Sequence, residues 1–429
     1  MAQSGTCIVA QSGGPTAVIN SSLCGVVDEA RHHSCINRVF GALNGIEGVI
    51  SERFVDLSAM DGELLRRVRN TPGAILGGCR HMIGEGGEGE KELERVLEVF
   101  AKHRVRCFIY IGGNDSMDTA LKVHRACLAQ GRDVSVIGVP KTVDNDLAET
   151  DHSPGFGSAA KYVATSVLEA GIHASGMFSA ENVVIVETVG RNTGWLAAAS
   201  VLAKRNDGDP PHLIYLPEVP FSFDGFLEDV SLAVKRYKGA FVVVGEGIRT
   251  RTGEMVGATS LRDPFGHPHL GEAASNLARL VRQELGLTAR FIKLDLCQQS
   301  AMHFASLTDW EEAYSLGKAA VRNAIEGLKG AMVTLVRKPG YGYECSAGHA
   351  LLEKVANVEK PIPDIWLTRE ARRVHPDLVE YVLPLIQGEV AIPMKGGLPD
   401  YGSLQNTQKT ERRCRECAGA DSGCYSGVS

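Results

Sequence analysis

The sequence predicts an α/β fold with doubly wound, largely parallel sheets. Short runs rich in valine and isoleucine alternate along the chain with longer amphipathic segments of helical periodicity. Runs that are apolar throughout are typical of strands covered by helices on both faces of a parallel sheet. Each run is followed by glycine or by a charged, polar loop, as expected for a sheet that binds a ligand at the carboxyl ends of its strands.

The predicted elements follow one another in strand and helix order. The first apolar run, residues 6–14, ends in a glycine turn and leads into a helical segment at 18–33. Apolar residues at helical spacing predict a helix over 90–103, followed by a strand and loop at 106–115 and a helix at 116–130. The remaining predicted segments are strands with their loops at 133–146, 182–191 and 239–249, and helices at 158–175, 193–205 and 226–237.

The composition is that of a globular protein and argues against several classes. The 45 basic and 51 acidic residues leave a formal charge of −6, so a nucleic-acid-binding protein, which needs a basic footprint, is not expected. Residues 1–12 lack the features of a signal peptide, and no run reaches the roughly 18 apolar residues of a membrane span. The 11 scattered cysteines favour reduced thiols in a cytoplasmic protein.

Two segments lack the pattern of packed elements. Residues 401–429 are polar and include Cys414, Cys417 and Cys424. Because a structural zinc site needs four ligands at closed spacing, a disordered tail is the preferred interpretation, with a metal or redox site as the alternative. The glycine-rich, acidic stretch 84–90 is predicted to be a mobile loop rather than a phosphate cradle.

Two glycine loops are candidate phosphate-binding turns. Gly13 and Gly14 lie between the first strand and its helix, where backbone N–H groups and the helix N-terminus suit a phosphate; a plain turn is the alternative. Gly113, Asn114 and Asp115 have the same placement after another strand. Their oxygens suit Mg²⁺, which is commonly held by one or two carboxylates and substrate phosphates, although Asp115 is equally suited to cap the helix.

The most informative segment is PKTVDND, residues 140–146. It places Lys141, Thr142, Asp144 and Asp146 at the end of one predicted strand. One carboxylate can act as the base for a phosphoryl acceptor hydroxyl and the other can hold a metal ion. A lysine can neutralise the charge of a transferring phosphoryl group. The segment therefore predicts phosphoryl transfer, with a solvated charged turn as the alternative.

The order of these motifs resembles that of the phosphofructokinase family. GGPTAVIN, GGNDS, PKTVDND, VETVGR and GEG follow one another within residues 5–340 as they do in the family. The resemblance implies two similar Rossmann-like domains with the active site between them. The N-terminal domain, 1–150, would carry the donor and catalytic loops. The C-terminal domain, 151–400, would bind the phosphosugar, with late segments packing on the first domain. A homodimer or larger assembly is also implied.

Two residues make the chain similar to the pyrophosphate-dependent branch of the family. ATP-using members carry glycine where this chain has Asp115 and Lys141. A carboxylate at the first position crowds and repels the α-phosphate of a nucleotide, and a lysine at the second stabilises a phosphate leaving group. The resemblance implies Mg²⁺-dependent, reversible transfer from pyrophosphate to the 1-hydroxyl of fructose 6-phosphate.

The resemblance also implies a role for each site residue. Asp144 would take the proton from the sugar hydroxyl, and the catalytic set also includes Lys141 and Asp115. Arg290 corresponds to an arginine that reaches the sugar phosphate of a neighbouring subunit. The implied donor-binding residues are Gly13, Gly14, Arg80 and Gly113; the metal ligands are Asn114 and Asp115; the acceptor-binding residues are Thr142, Asp146, Val189, Gly190, Arg191, Glu246, Arg290 and Gln299.

Three positions depart from the family pattern. Asn114 stands where most members have aspartate, and a neutral side chain there weakens Mg²⁺ binding or shifts it toward Asp115 and Asp146. Asn182 and Gln299 stand where the family has arginines of the sugar-phosphate site. The acceptor is therefore fructose 6-phosphate or a longer phosphosugar such as sedoheptulose 7-phosphate. The candidates to restore the charge are Lys161, Lys293 and Arg322.

Two other functions stay open at this point. An ATP-dependent 6-phosphofructokinase would share the motifs but not Asp115 and Lys141. A non-catalytic ligand sensor would share the fold, since doubly wound sheets host many functions, but it has no need for the intact segment 142–146. Pyrophosphate-dependent transfer is the preferred hypothesis.

Overall fold

The computed structural model describes residues 4–258, 270–340, 342–368 and 373–404. Its strands are β1 (Gly5–Gln11), β2 (Ile36–Ala42), β3 (Phe54–Asp56), β4 (Val105–Gly112), β5 (Ser135–Pro140), β6 (Val183–Thr188), β7 (Leu213–Tyr215), β8 (Ala240–Gly245), β9 (Ala289–Lys293), β10 (Ala331–Arg337), β11 (Cys345–Leu351), β12 (Leu367–Thr368), β13 (Arg373–Val374), β14 (Met394–Lys395) and β15 (Leu398–Pro399). Its α-helices are α1 (Ile19–Ala30), α2 (Gly45–Ile50), α3 (Gly62–Arg69), α4 (Gly87–Lys102), α5 (Asn114–Ala129), α6 (Phe156–Met177), α7 (Trp195–Ala199), α8 (Phe223–Tyr237), α9 (Ala273–Leu285), α10 (Asp295–Ser300), α11 (Leu307–Ile325) and α12 (Pro376–Val382).

The larger sheet has the strand order β11-β10-β5-β4-β1-β2-β3. Its central strands are parallel, and antiparallel pairs form the two edges, β2 with β3 and β10 with β11. Alternate side chains of β1 enter different cores. Cys7 and Val9 pack with α1 and α11, whereas Ile8 and Ala10 pack with α4 and α5. Burial on both faces explains why this strand is apolar at every position.

The smaller sheet is parallel throughout, in the order β7-β8-β6-β9. Helices α6 and α7 cover one face, and α8 and α9 cover the other. The late strands β10 and β11 belong to the larger sheet, and α11 packs in the same core as α1. The predicted class, doubly wound and largely parallel, is confirmed, while the domain boundaries at 150 and 400 stay predictions.

Some segments differ from their predictions. The helix predicted over 193–205 is the short α7 followed by a 3-10 turn at Ser200–Ala203. The stretch 84–90, predicted to be a loop, is helical from Gly87, since Glu88 and Glu90 lie in the first turn of α4, where acidic side chains are favourable.

The start of the predicted tail packs on the first sheet's helices. The Gly402 N–H donates to Thr71 Oγ1 (2.8 Å), and Leu404 is buried. Residues 405–429, with Cys414, Cys417 and Cys424, lie outside the described residues. Within the described ranges, no helix is both long enough and apolar enough to cross a membrane.

Helices α1 and α11 cross at a contact that leaves no room for a side chain. A Cβ on Gly25 would lie 2.1 Å from Tyr314 O, and a Cβ on Gly317 would lie 2.1 Å from Ser22 O. Both glycines therefore let the two backbones approach. This contact joins the first helix of the chain to a helix nearly 300 residues later.

We expect Gly317→Ala to destabilise the fold by about 1–3 kcal/mol, because the two helices must separate to admit the methyl group. Thermal unfolding would show this as a lower melting temperature. The matched control is Gly176→Ala on α6, where nothing lies within 4 Å of an added Cβ, and alanine should be neutral or mildly stabilising there. Equal melting temperatures for Gly317→Ala and wild type would contradict the prediction.

Candidate active site

The loops after β1, β4 and β5 meet at the carboxyl edge of the larger sheet. The Lys141 N–H donates to Gly112 O (3.0 Å), and Lys141 Nζ donates to Gly14 O (2.5 Å). Gly13 has φ +73°, in the left-handed region, and a Cβ there would lie 3.1 Å from Lys141 Nζ. Glycine at position 13 thus permits both the turn and the close approach of the lysine.

A pocket of about 330 Å³ opens beside this turn. It combines glycine backbone with the exposed side chain of Arg80. Backbone N–H groups and a nearby cation suit a small anion. Its lining consists of Gly13, Gly14, Pro15, Gly73, Ala74, Gly78, Cys79 and Arg80.

Lys141 is buried among charged groups. It is 3% exposed, and burial lowers its pKa to about 8, although Asp144 and Asp146 oppose that shift. Its ammonium group donates to a carbonyl oxygen, that of Gly14. Its positive charge is therefore available to an anionic ligand in the adjacent pocket.

Asp144 carries a buried oxygen that is suited to accept a proton. Its Oδ1 has no hydrogen-bond partner in the part of the chain that the structure describes. Burial raises the pKa of Asp144 to about 8; Asp146 and Glu246 add to the rise, and Lys141 and Arg191 oppose it. A carboxyl whose pKa lies near neutrality matches the requirement for a general base.

Asn145 fixes the turn between the two aspartates. It has φ +54°, a left-handed conformation that asparagine tolerates better than most residues. Its buried side chain donates to Tyr381 OH (2.9 Å) and accepts from the Ser153 N–H (3.0 Å). These two bonds hold Asp144 and Asp146 on a defined backbone.

Asp146 is the second carboxylate of the turn. Burial raises its pKa, and a hydrogen bond from Thr142 opposes the rise. Its Oδ1 is buried and unpartnered among the described residues. Thr142 Oγ1 also accepts the Asp144 N–H (3.1 Å), so this threonine supports both carboxylates. An unpartnered buried carboxylate oxygen is suited to a cation.

The side-chain amide of Asn114, predicted to bind a metal ion, is hydrogen-bonded on both its oxygen and its nitrogen. Its Oδ1 accepts the Asn357 N–H at 2.6 Å, and its Nδ2 donates to Val358 O at 2.9 Å. The amide is therefore engaged with a late segment of the chain. Asp115, one residue later in the first turn of α5, is exposed. Among the described residues, no three histidine, cysteine, aspartate or glutamate side chains form a cluster that could hold a metal ion by themselves. A cation here would therefore depend on one or two carboxylates, such as Asp115 and Asp146, together with substrate phosphates.

The candidate acceptor side lies at the carboxyl ends of β6 and β8. Gly190, at φ +134°, donates its N–H to Glu246 Oε1 (3.3 Å). Burial raises the pKa of Glu246, while the Gly190 N–H and Arg191 oppose the rise. Val189 and Gly190 are at least partly buried beside it. Thr193 Oγ1, two residues after Arg191, donates to Asp144 O (3.1 Å), which places the acceptor loop next to the candidate base.

Arg290 and Gln299, both predicted to bind the acceptor, lie in different parts of the structure. Arg290 is on the edge strand β9, where its exposed side chain pairs with Glu181. Gln299 Oε1 is 3.6 Å from the position that a Cβ on Gly14 would occupy, so Gln299 reaches the donor turn. Gln299 therefore lies at the donor turn, whereas the contact of Arg290 with a neighbouring subunit stays a prediction.

The contacts of Asn182 explain why asparagine, and not the arginine of the family pattern, suits this position. Its Nδ2 donates to Phe178 O (3.2 Å), and its Oδ1 accepts the Thr288 N–H (3.2 Å). The side chain thus joins the end of α6 to the start of β9. An arginine at this position has no acceptor atom and would lose the bond from the Thr288 N–H.

Of the three candidate cations, two are committed to the fold. Lys161 donates to Gly388 O (2.6 Å) and to Glu389 Oε1 (2.8 Å). Arg322 forms a bidentate ion pair with Glu29 on α1, with both contacts at 2.8 Å. These contacts of both side chains are with other parts of the fold, and none of them is with the loops after β1, β4, β5, β6 or β8.

The third candidate, Lys293, lies at the acceptor side. Its Nζ and Glu187 Oε1 would be 2.7 Å and 3.4 Å from a Cβ on Gly271. Its charge also lowers the otherwise raised pKa of Glu246. Lys293 also pairs with Asp295 Oδ2 (3.6 Å) at the start of α10, so its positive charge lies beside the acceptor loop with one carboxylate already near it.

Two residues of the site were missed from the sequence. Burial raises the pKa of Glu187 to about 7, although it accepts the Ala274 N–H (2.8 Å) and lies near Lys293. A lone glutamate inside the apolar run VVIVETV was the signal that could have found it. Lys360, whose pKa burial lowers to about 8, lies in a segment with no motif, and no sequence signal identifies it.

Comparison with known proteins gives consistent matches. The family model described as phosphofructokinase matches residues 6–324. A pyrophosphate–fructose 6-phosphate 1-phosphotransferase of Xanthomonas campestris is 43% identical over 94% of this chain and 96% of the relative. One of Halomonas elongata is 39% identical over 95% and 97%. The crystal structure of a pyrophosphate-dependent phosphofructokinase from Marinobacter aquaeolei superposes with a TM-score of 0.84, at 40% identity, over 93% of this chain and 96% of that one.

Proposed function

Since this chain belongs to the phosphofructokinase family, we propose that it transfers a phosphoryl group reversibly between pyrophosphate and the 1-hydroxyl of fructose 6-phosphate. The products of the forward reaction are fructose 1,6-bisphosphate and phosphate. Relatives named for this activity match almost the whole chain, so the predicted pyrophosphate-dependent branch is confirmed. The observation that carries the mechanism is the unpartnered Oδ1 of Asp144 beside buried Lys141.

In this proposal Asp144 accepts the proton of the sugar 1-hydroxyl, and the hydroxyl oxygen forms a bond to the terminal phosphorus of pyrophosphate. The bond from that phosphorus to the bridging oxygen breaks, and the other phosphate leaves with the electron pair. Lys141, at the Gly14 carbonyl, stabilises the negative charge that grows on the leaving phosphate. Arg80 and the Gly13 and Gly14 backbone hold the pyrophosphate in the adjoining pocket.

The carboxylates fit a Mg²⁺ ion shared with the substrate. The unpartnered Asp146 Oδ1 and the exposed Asp115 carboxylate would hold the ion, since magnesium is usually bound by one or two carboxylates and substrate phosphates. When bound, Mg²⁺ neutralises phosphate charge. Asn114 is left out of this set because its amide bonds to residues 357–358.

The acceptor is proposed to bind between Glu246, Gly190 and Arg191. Glu246 would accept hydrogen bonds from sugar hydroxyls, and Lys293 would pair with the 6-phosphate in place of the cations absent at Asn182 and Gln299. Arg290, on the exposed edge strand β9, would serve a neighbouring subunit of a homodimer or larger homo-oligomer. A coupled assay that compares pyrophosphate with ATP, and fructose 6-phosphate with sedoheptulose 7-phosphate, tests the proposal directly.

Asp144→Asn should keep the shape of the site and remove the base. We expect kcat to fall by about 10²–10⁴, with little change in the melting temperature or in the KM for fructose 6-phosphate. Asp133→Asn, an exposed carboxylate at the opposite end of β5 that pairs with Lys329, is the control and should be fully active. An Asp144→Asn enzyme with more than about a third of the wild-type kcat would exclude Asp144 as the base.

Asp115 and Lys141 should influence donor choice differently. Asp115→Gly removes a carboxylate that excludes the α-phosphate of ATP, so ATP should bind more tightly but turn over poorly. Lys141→Gly removes charge opposite the leaving phosphate, so kcat with pyrophosphate should fall about 10²-fold, with a smaller change in KM. The measurement is kcat and KM for both donors in wild type, both single variants and the double variant.

Either of two results would refute this donor assignment. One is a wild-type enzyme that prefers ATP, which would favour the ATP-dependent alternative. The other is undiminished pyrophosphate turnover in Lys141→Gly.

Lys293→Met should weaken the binding of the phosphorylated acceptor. Loss of a hydrogen bond between charged groups costs about 1.5–3 kcal/mol, so the KM for fructose 6-phosphate should rise about 10- to 100-fold while the KM for pyrophosphate stays near wild type. Lys161→Met, a buried lysine that bonds to Gly388 and Glu389, is the matched control. Equal acceptor KM values in wild type and Lys293→Met would rule out this contact.

A further inference from the structure

Resting on the phosphoryl transfer proposed above, we propose that residues 357–362, here called the strap, position the three active-site loops, and that Lys360 is the strap's main positioning residue. The strap lies beyond residues 6–324, the part matched by the family model. It follows the 3-10 turn Leu352–Lys354 that packs below the larger sheet. Its contacts reach three loops in turn. These are the donor loop at the start of α5 (residues 113–118), the catalytic loop after β5 (residues 141–151) and the acceptor loop after β6 (residues 189–195).

The first end of the strap fixes the donor loop. The Asn357 N–H donates to Asn114 Oδ1 (2.6 Å), and Asn114 Nδ2 returns a hydrogen bond to Val358 O (2.9 Å). Asn357 Nδ2 also donates to Asp118 Oδ1 (3.0 Å), one turn further along α5. These bonds hold the first turn of α5, which carries Asp115.

The middle of the strap fixes the catalytic loop. The Lys360 N–H donates to Asp146 O (2.8 Å), and Glu359 forms a backbone bridge with Leu147. Lys360 Nζ donates to Thr150 O (3.0 Å) and Asp151 O (2.8 Å). One lysine thus bonds to the backbone at both ends of the segment 146–151.

The strap also reaches the acceptor loop. Asn192 Nδ2 donates to Glu359 Oε1, and Trp195 Nε1 donates to Lys360 O (3.0 Å). At the far end, Glu218 Oε1 accepts both the Ile362 N–H (3.3 Å) and the Gly194 N–H (2.9 Å). The segment after Arg191 is therefore tied to the same six residues as the catalytic loop.

A second anchor supports the catalytic loop from the same side. Tyr381 OH donates to Asp151 O (2.7 Å), the carbonyl that Lys360 also contacts, and accepts from Asn145 Nδ2 (2.9 Å). Asn145 stands between Asp144 and Asp146 in a left-handed conformation. Lys360 and Tyr381 therefore act on the two aspartates through the backbone and do not touch the reacting atoms.

Loss of this support should slow the chemical step more than it weakens binding, because a displacement of about 1 Å at reacting groups can cost about 10²-fold in rate. For Lys360→Met we expect kcat to fall about 10²-fold, with the KM values for pyrophosphate and fructose 6-phosphate nearly unchanged. Lys360→Arg, which retains a cationic donor, should recover part of that loss. Tyr381→Phe, which keeps the ring and removes only the hydroxyl, should lower kcat about fivefold.

Two variants control for the loss of a buried polar group as such. Lys161→Met removes a lysine that bonds to another late segment, and Tyr343→Phe removes a hydroxyl that bonds to Glu312; both should retain wild-type kcat. Backbone hydrogen exchange should rise in residues 142–151 in Lys360→Met and not in Lys161→Met. If Lys360→Met does not fold, Lys360→Gln and Tyr381→Phe are measured in the same way.

The outcomes separate this inference from the proposed function. Wild-type protein that turns over no pyrophosphate with fructose 6-phosphate would overturn the function and this inference with it. Active wild type together with unchanged kcat in the Lys360 and Tyr381 variants would overturn the positioning role alone. A raised KM at unchanged kcat in Lys360→Met would also overturn it, since that result assigns Lys360 to substrate binding.

Discussion

The packing of Lys141, Asp144 and Asp146 into one poorly solvated turn is the constraint on which the rest of the site depends. Burying charge is costly unless the charges are paired or hydrogen-bonded. Burial shifts the pKa values of Lys141 and Asp144 toward each other, to about 8 in both cases. The three groups therefore need a rigid backbone that prevents them from relaxing into simple ion pairs, and Asn145 supplies the turn that keeps the two carboxylates apart.

That rigidity comes from parts of the chain remote in sequence. In the turn 141–146, Lys141 Nζ donates to the Gly14 carbonyl of the first loop. Two further contacts come from the last described third of the chain: Asn145 donates to the Tyr381 hydroxyl, and the Lys360 N–H donates to Asp146 O. The late strands β10 and β11 extend the larger sheet beside β5. Because β11 is antiparallel to β10, it ends at Leu351, level with Ile137 of β5, and residues 352–356 pack on the face of the sheet before the strap contacts the catalytic turn. The order of strands in the first sheet thus explains why late residues reach an early loop.

The sequence predicted those parts of the molecule in which burial produces a recognisable run of apolar residues along the chain. Strands β1, β4, β5, β6 and β8 are buried at almost every position and so read as apolar runs, and the loops after them contain the candidate residues. Edge strands such as β9 are partly or fully exposed at every position, so they leave no apolar run in the sequence and were missed. Side-chain direction has no such pattern: the sequence could not distinguish Asn114, whose amide bonds to a distant backbone segment, from its exposed neighbour Asp115.

Asn114, which stands where the family pattern has aspartate, is suited to the strap because it forms two hydrogen bonds with it. An amide side chain both accepts from the Asn357 N–H and donates to Val358 O, whereas aspartate could only accept and would place its charge against the Val358 carbonyl oxygen. A chain that uses this position to fasten the strap therefore needs the neutral residue and gives up one carboxylate of the donor loop. Asp115, the next residue of the same turn, is an exposed carboxylate. In the mechanism proposed above, a cation at this loop would be held by Asp115 and not by residue 114.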